Sequence, residues 1–130
     1  MGLINALRDL VSRMNFSYSF NTDFNVYGEE RVLEDHHNIM IFRIIQESFN
    51  NIAKYAEATE VLLQLTFSDD WLNISIEDNG VGFDVNQVNV DKGMGLKSID
   101  FRTNYMGGDY EIDSRLGEGT MISINVPLKA

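Results

Sequence analysis

A chain of 130 residues, 44% of them hydrophobic, suits one compact domain with an ordinary core. It has no cysteine, which excludes disulfides and thiolate metal sites. Its net charge of −10 excludes a basic footprint for nucleic acid, so an anionic ligand has to be held locally, by a metal ion, backbone N–H groups or a few placed cations.

Residues 3–14 read as an amphipathic helix, with Leu3, Leu7, Leu10 and Met14 on one stripe. Its charges set it apart from a signal peptide, and no apolar run approaches the roughly 18 residues that span a membrane. The abrupt start is what a piece of a longer protein is expected to show. Phe16, Tyr18 and Phe20 alternate with Ser17 and Ser19, which predicts a strand, and Asn21-Thr22-Asp23 predicts a turn into a second strand at Phe24–Tyr27. A long helix is expected from about Asp35 to Ala56. Strands at 60–67 and 71–77 form a hairpin across Ser68-Asp69-Asp70, with Leu72, Ile74 and Ile76 on the buried face. The stretch 78–95 breaks all periodicity and is long for an idle loop. A helix at about 96–106, a strand at 109–114, a turn at Gly117 and Gly119 and a last strand closed by Pro127 complete the chain. Together these elements predict an α+β, two-layer sandwich: a mixed, mostly antiparallel sheet with helices on one face.

The long helix carries an unusual polar flank. At about 100° per residue, Glu47, Asn51 and Lys54 fall within about 60° of one another. Asn50 and Arg43 flank them, while Ile41, Ile45, Phe49, Ile52 and Ala56 gather on the opposite side. Such a flank is either a solvated surface or a metal–phosphate site. An amide oxygen and a carboxylate are hard donors suited to Mg²⁺, and a lysine one turn on can meet a phosphate.

Three glycine segments follow. "DNGVGF" places Asp78 at a strand end, where its acceptor-only carboxylate can take a proton from an exocyclic amine such as that of adenine. Gly80 and Gly82 permit positive φ and close approach of a flat ring, although Asp-Asn-Gly is also an ordinary turn. "KGMGL" sets Gly93 and Gly95 before a helix N-terminus, a place that binds anions or simply feeds a helix. "GEGT" ends in Thr120 at a strand start and reads equally as a hairpin turn.

In that order, the polar helix, DNGVGF, KGMGL and GEGT resemble the N box, the two glycine boxes and the terminal glycine-threonine motif of the GHKL superfamily. Its members share the Bergerat ATP-binding fold and include gyrase, the ninety-kilodalton heat-shock chaperone, histidine kinases and MutL. "RIIQESFNNIAKYA", "GMGLKSI", "MGG" and "GEGTMISINVPL" look most like the catalytic domain of sensor histidine kinases of the NarL-partnered type. The resemblance runs from the first helix to Pro127.

It implies a role for each matching residue. Glu47 matches the acidic N-box position, which contacts a magnesium-bound or reacting water or polarises the acceptor. Asn51 matches the Mg²⁺ ligand and Lys54 the lysine that approaches the phosphates. Asp78 would read adenine, Gly80 and Gly82 would line its pocket, and Thr120 would share a water with Asp78 and the base. Residues 84–92 would form a lid over ATP, with Gly93, Gly95 and Leu96 closing it over the phosphates. Tyr55 stands where this subgroup usually has histidine. The phosphate-accepting histidine of the family lies on a separate dimerisation helix. His36 and His37, at the start of the long helix, are read as surface residues instead.

The implied function is transfer of the ATP γ-phosphoryl to a histidine on a dimerisation domain of the same kinase, for relay to a response regulator. The domain itself would lie in the cytoplasm and contact neither nucleic acid nor membrane. The alternative within this fold is an anti-sigma-like serine kinase or nucleotide-dependent protein-binding regulator. A degenerate domain that binds without turnover is disfavoured by the intact Glu47, Asn51 and Asp78.

Overall fold

The computed structural model describes residues 2–82 and 96–128, and of residues 96 and 97 the backbone alone. Helix α1 spans Leu3–Ser17 and strand β1 Asn21–Tyr27. Helix α2 spans Asp35–Asn51 and runs on as a π-helical turn, Ile52–Ala56. Strands β2 (Glu60–Phe67) and β3 (Trp71–Asp78) form the hairpin. Helix α3 (Leu96–Tyr105) precedes β4 (Asp109–Ser114) and β5 (Thr120–Pro127).

The sheet order is β1-β2-β3-β5-β4. β1 pairs parallel with β2 and the remaining neighbours are antiparallel. Period-2 alternation decides which side is buried. Leu72, Ile74 and Ile76 on β3 and Ile124 and Val126 on β5 join Leu7, Leu10, Ile41, Ile45 and Phe49 of the helices in one core. The other side of the sheet is polar. There Asn73 donates to Ser123 and Asn125, and Asn125 donates to Asp109. This is the expected two-layer α+β sandwich.

The N-terminal region departs from expectation. Residues 16–20 are not a strand: α1 continues through Phe16 and Ser17, and the Tyr18 N–H closes it on Met14 O at 3.0 Å. Of the three alternating aromatics, Phe16 is 87% exposed and Phe20 5%, so no shared buried face supports a strand there. Phe20 is covered because its ring stacks on Phe49, centroids 6.2 Å apart. Nor is Asn21-Thr22-Asp23 a turn. These residues pair in register with Glu60, Val61 and Leu62 of β2, and Asn15 Oδ1 takes the Thr22 N–H at 2.8 Å. Ladder pairing to a distant strand overrides local turn preference.

The long helix ends at Ala56 as expected, but its last turn is π-helical and Glu57 leaves it at φ 52. A π turn takes in one extra residue and re-aims the side chains after it. Lys54 lies within this turn and is exposed. The tight helical flank drawn from Glu47 to Lys54 therefore holds as an α-helix only as far as Asn51.

Candidate functional site

Asp78 is the last residue of β3, in register between Val61 of β2 and Thr120 of β5. The alternation that buries Ile74 and Ile76 turns its side chain to the helix side of the sheet, where the residue is only 6% exposed. Its Oδ1 accepts the Gly80 N–H at 2.8 Å. Burial pushes the carboxyl above its ordinary pKa; the Gly80 and Thr120 N–H groups pull it back and the charge of Glu77 adds to the push. A buried, acceptor-only group held by backbone N–H groups suits a neutral donor such as an amine.

Beside it, Thr120 Oγ1 lies 2.7 Å from Ser114 Oγ, and Ser114 Oγ is 3.2 Å from Gly119 O. Ser114, at the end of β4, is buried and in register with Thr120. Asp78, Thr120, Ser114 and Gly119 line a cleft of about 240 Å³ at the end of the sheet, together with Glu77 and Met121, which alternate to its polar side.

The loop after Asp78 is fastened on both sides. Asn79 Oδ1 takes the Thr59 and Glu60 N–H groups at 2.9 and 3.0 Å, and its Nδ2 donates to Thr59 Oγ1. The Val81 N–H donates to Ala56 O at 2.7 Å, and the Gly117 N–H to Val81 O at 2.6 Å. Asn79 was not among the residues singled out from sequence. Its signal was its place in Asp-Asn-Gly, where asparagine side chains commonly bond nearby backbone.

Gly82 has the positive φ expected of it, and both glycines also meet backbone at close range. A Cβ on Gly80 would sit 2.1 Å from Ala56 O, and one on Gly82, at φ +64, would sit 2.0 Å from Arg115 O. Backbone meets backbone here. The absent side chains let the loop close on the π turn and on the hairpin between β4 and β5.

That closure links the glycine loop to the polar helix. Ala56 ends the π turn that continues α2, and Glu47 and Asn51, both partly buried, lie upstream on the same helix. Glu47 Oε2 is 3.0 Å from Arg102 Nη1 on α3. Arg102 was missed from sequence because the pair is separated by 55 positions. Among the described residues, no group of three or more His, Cys, Asp or Glu could hold a metal ion. Asp78, Thr120, Gly80 and Gly82 are thus brought together around one strand end, with Glu47, Asn51 and Lys54 on the helix joined to it. Gly93, Gly95 and the expected lid at 84–92 lie outside the described residues, as does the side chain of Leu96.

The chain is similar to known proteins over most of its length. Residues 36–130 match the model of the family "Histidine kinase-, DNA gyrase B-, and HSP90-like ATPase". Over 133 aligned positions the chain is 32% identical to the signal transduction histidine-protein kinase/phosphatase DegS of Bacillus subtilis, covering 98% of this chain and 34% of DegS. It is 30% identical to the sensor histidine kinase LiaS of the same organism, covering 98% and 33%, and 35% identical to the sensor protein VraS of Staphylococcus aureus, covering 74% and 26%. The chain thus spans about a third of the length of the first two of these relatives. Among solved structures, the histidine kinase AdeS of Acinetobacter baumannii superposes with a TM-score of 0.79 at 11% identity, covering 98% of this chain and 64% of that one. The histidine kinase domain of a blue-light activated kinase from Erythrobacter litoralis gives 0.73 at 20% identity, covering 98% and 62%. The match over residues 36–130 places the chain in the histidine kinase-, DNA gyrase B- and HSP90-like ATPase family.

Proposed function

We propose that this domain is the ATP-binding catalytic part of a sensor histidine kinase and passes the γ-phosphoryl of ATP to a histidine on a separate dimerisation domain of the same protein. The observation that carries the reading is the buried Asp78 beside Thr120, joined through Ala56 to the helix that bears Glu47 and Asn51. In this reading the Asp78 carboxylate accepts the exocyclic amine of adenine, and Thr120 takes part through a shared water. Lys54, exposed on the π turn, meets the phosphates as a point charge.

The oxygen donors of Asn51 and Glu47 fit Mg²⁺, which typically takes few protein ligands and completes its shell with phosphate and water. When bound, the ion neutralises charge on the triphosphate. The imidazole nitrogen of the acceptor attacks the γ-phosphorus as the bond to the bridging oxygen breaks and ADP leaves. Positioning and charge neutralisation supply most of the catalysis. In this reading Asn51 holds the metal directly, while the Glu47 oxygen not paired with Arg102 polarises the acceptor.

The parent protein is then a longer kinase, with a response-regulator aspartate as the final acceptor, and this domain sits in the cytoplasm. No described helix is long and apolar enough to cross a membrane. Neither nucleic acid nor membrane is a partner in this reading. The serine-directed alternative is less favoured, since DegS and LiaS, which align over 98% of this chain, are named as histidine kinases.

The test mixes this domain with Mg-ATP and a separately prepared histidine-bearing dimerisation domain. Acid-labile phosphate on that domain is expected, and Asn51→Ala should lower the rate by about 100-fold or more, in line with loss of several kcal/mol of metal-assisted stabilisation. Acid-stable phosphoserine, or bound ATP with no transfer at all, contradicts the reading.

A further inference from the structure

Arg102 lies on α3, and the described site gives it no part in holding nucleotide. Its Nη1 donates to Glu47 Oε2 at 3.0 Å and also meets Ser98 Oγ, one turn earlier on α3. The two side chains of the ion pair are 24% and 34% exposed, so the pair sits in the groove between α2 and α3 and not out in solvent. Long helical side chains lean toward the N-terminus of their own helix. Arg102 follows that direction past Ser98, and its guanidinium is steadied at both contacts. A glutamate left alone samples many rotamers. Here one carboxylate oxygen, Oε2, is fixed by a planar, permanently charged partner, which leaves Oε1 as the oxygen the pair does not occupy.

The anchor point is also informative. Ser98 belongs to the first turn of α3, directly after the "KGMGL" segment, and Glu47 lies one turn before Asn51 on α2. The bridge therefore runs from the start of the helix that follows the second glycine segment to the acidic residue of the polar helix. We propose that Arg102 is a positioning residue for the phosphoryl transfer: it holds Glu47 in the orientation the acceptor histidine requires and ties that orientation to the placement of α3. This rests on the kinase reading given above.

A merely structural tie between helices would alter melting or nucleotide affinity alone. A positioning role appears in the transfer step and depends on Glu47. The experiment measures single-turnover transfer from Mg-ATP to the separate histidine-bearing domain, with ATP affinity measured in parallel. The variants are Arg102→Gln, Arg102→Lys, Glu47→Gln and the double variant Glu47→Gln/Arg102→Gln. Arg102→Gln should lower the transfer rate constant about 10- to 100-fold, the scale of a misplaced catalytic group, with ATP affinity held within about 2-fold. Arg102→Lys should recover part of the rate, and Arg102→Gln should cost nothing further once Glu47 is glutamine. Should Arg102→Gln melt below the assay temperature, Arg102→Lys carries the comparison and is expected to fall between wild type and Glu47→Gln.

The inference is overturned by the same fold-loss with and without Glu47, by a loss confined to ATP affinity, or by a faster rate without Arg102. Wild-type protein that binds ATP and transfers nothing overturns the kinase reading as well. Normal transfer that ignores Arg102 overturns this inference alone.

Discussion

Asp78→Asn lowers affinity for ATP by about 10- to 100-fold and at the same time makes the empty domain more stable at neutral pH. The affinity estimate follows from removing one hydrogen bond to a charged group, worth about 1.5–3 kcal/mol. Asparagine keeps one oxygen for the Gly80 N–H, now held at 2.8 Å by Asp78 Oδ1, so the loop retains its anchor. What it loses is the second acceptor. An amide NH₂ turned toward the adenine amine sets donor against donor.

The stability gain follows from burial. Desolvation raises the Asp78 pKa in the folded protein, so between the unfolded and folded values the native state binds more protons than the unfolded chain. Stability then falls as pH rises through that window, and the cost of the buried charge is complete above the folded pKa. Asparagine does not carry this cost. Its melting temperature should exceed that of wild type at pH 7, and the gap should close as pH falls below the ordinary aspartate value of about 3.9. Calorimetric titration with Mg-ATP and melts recorded across pH check the two halves separately. Unchanged affinity removes Asp78 from the binding site; a melting difference that ignores pH removes the desolvation argument. A residue that costs stability where it serves binding is a common feature of functional sites.

Gly119→Ala is expected to destabilise the domain by about 3 kcal/mol, roughly 10 °C in melting temperature for a chain of this size. Two causes combine. Gly119 has φ +80, a left-handed conformation that L side chains resist, and a Cβ there would stand 2.1 Å from Asp78 O. The obstacle is backbone, so it cannot swing aside as a side chain would. Because the clash falls on Asp78 itself, ATP affinity should drop along with stability. Gly117→Ala provides the control. Its φ is +81, nearly the same, yet nothing lies within 4 Å of the added carbon. Conformational strain alone should cost it about 1–2 kcal/mol, with ATP affinity retained. Equal melting temperatures for the two variants would show that the contact with Asp78 does not matter.

The contrast between these glycines also shows what the sequence could and could not convey. Period-2 alternation placed β2 and all but the last residue of β3, because their buried faces are continuous, as in Leu72, Ile74 and Ile76. Asp78 and Thr120 were legible as motif residues, but their adjacency is a matter of strand register. Residues 16–23 misled because local alternation and turn propensity were weighed without the distant partner that decides them, the parallel ladder to β2. The π turn at Ile52–Ala56 was illegible for a similar reason. Composition favours an unbroken helix there, whereas the structure closes the turn against Val81 through Ala56 O. Asp-Asn-Gly marks Asn79 as a turn residue, but its partners lie 19–20 positions away, and the partner of Arg102 lies 55 positions away, which no local pattern encodes.

The most direct measurement is a structure of this domain with Mg²⁺ and a non-hydrolysable ATP analogue. The account requires the adenine amine within hydrogen-bond distance of the Asp78 carboxylate, with the metal bound by the Asn51 amide oxygen at about 2.1 Å on the same nucleotide. A purine seated away from the end of β3, for instance in the groove between α1 and α2, or a triphosphate that never approaches Asn51, contradicts it.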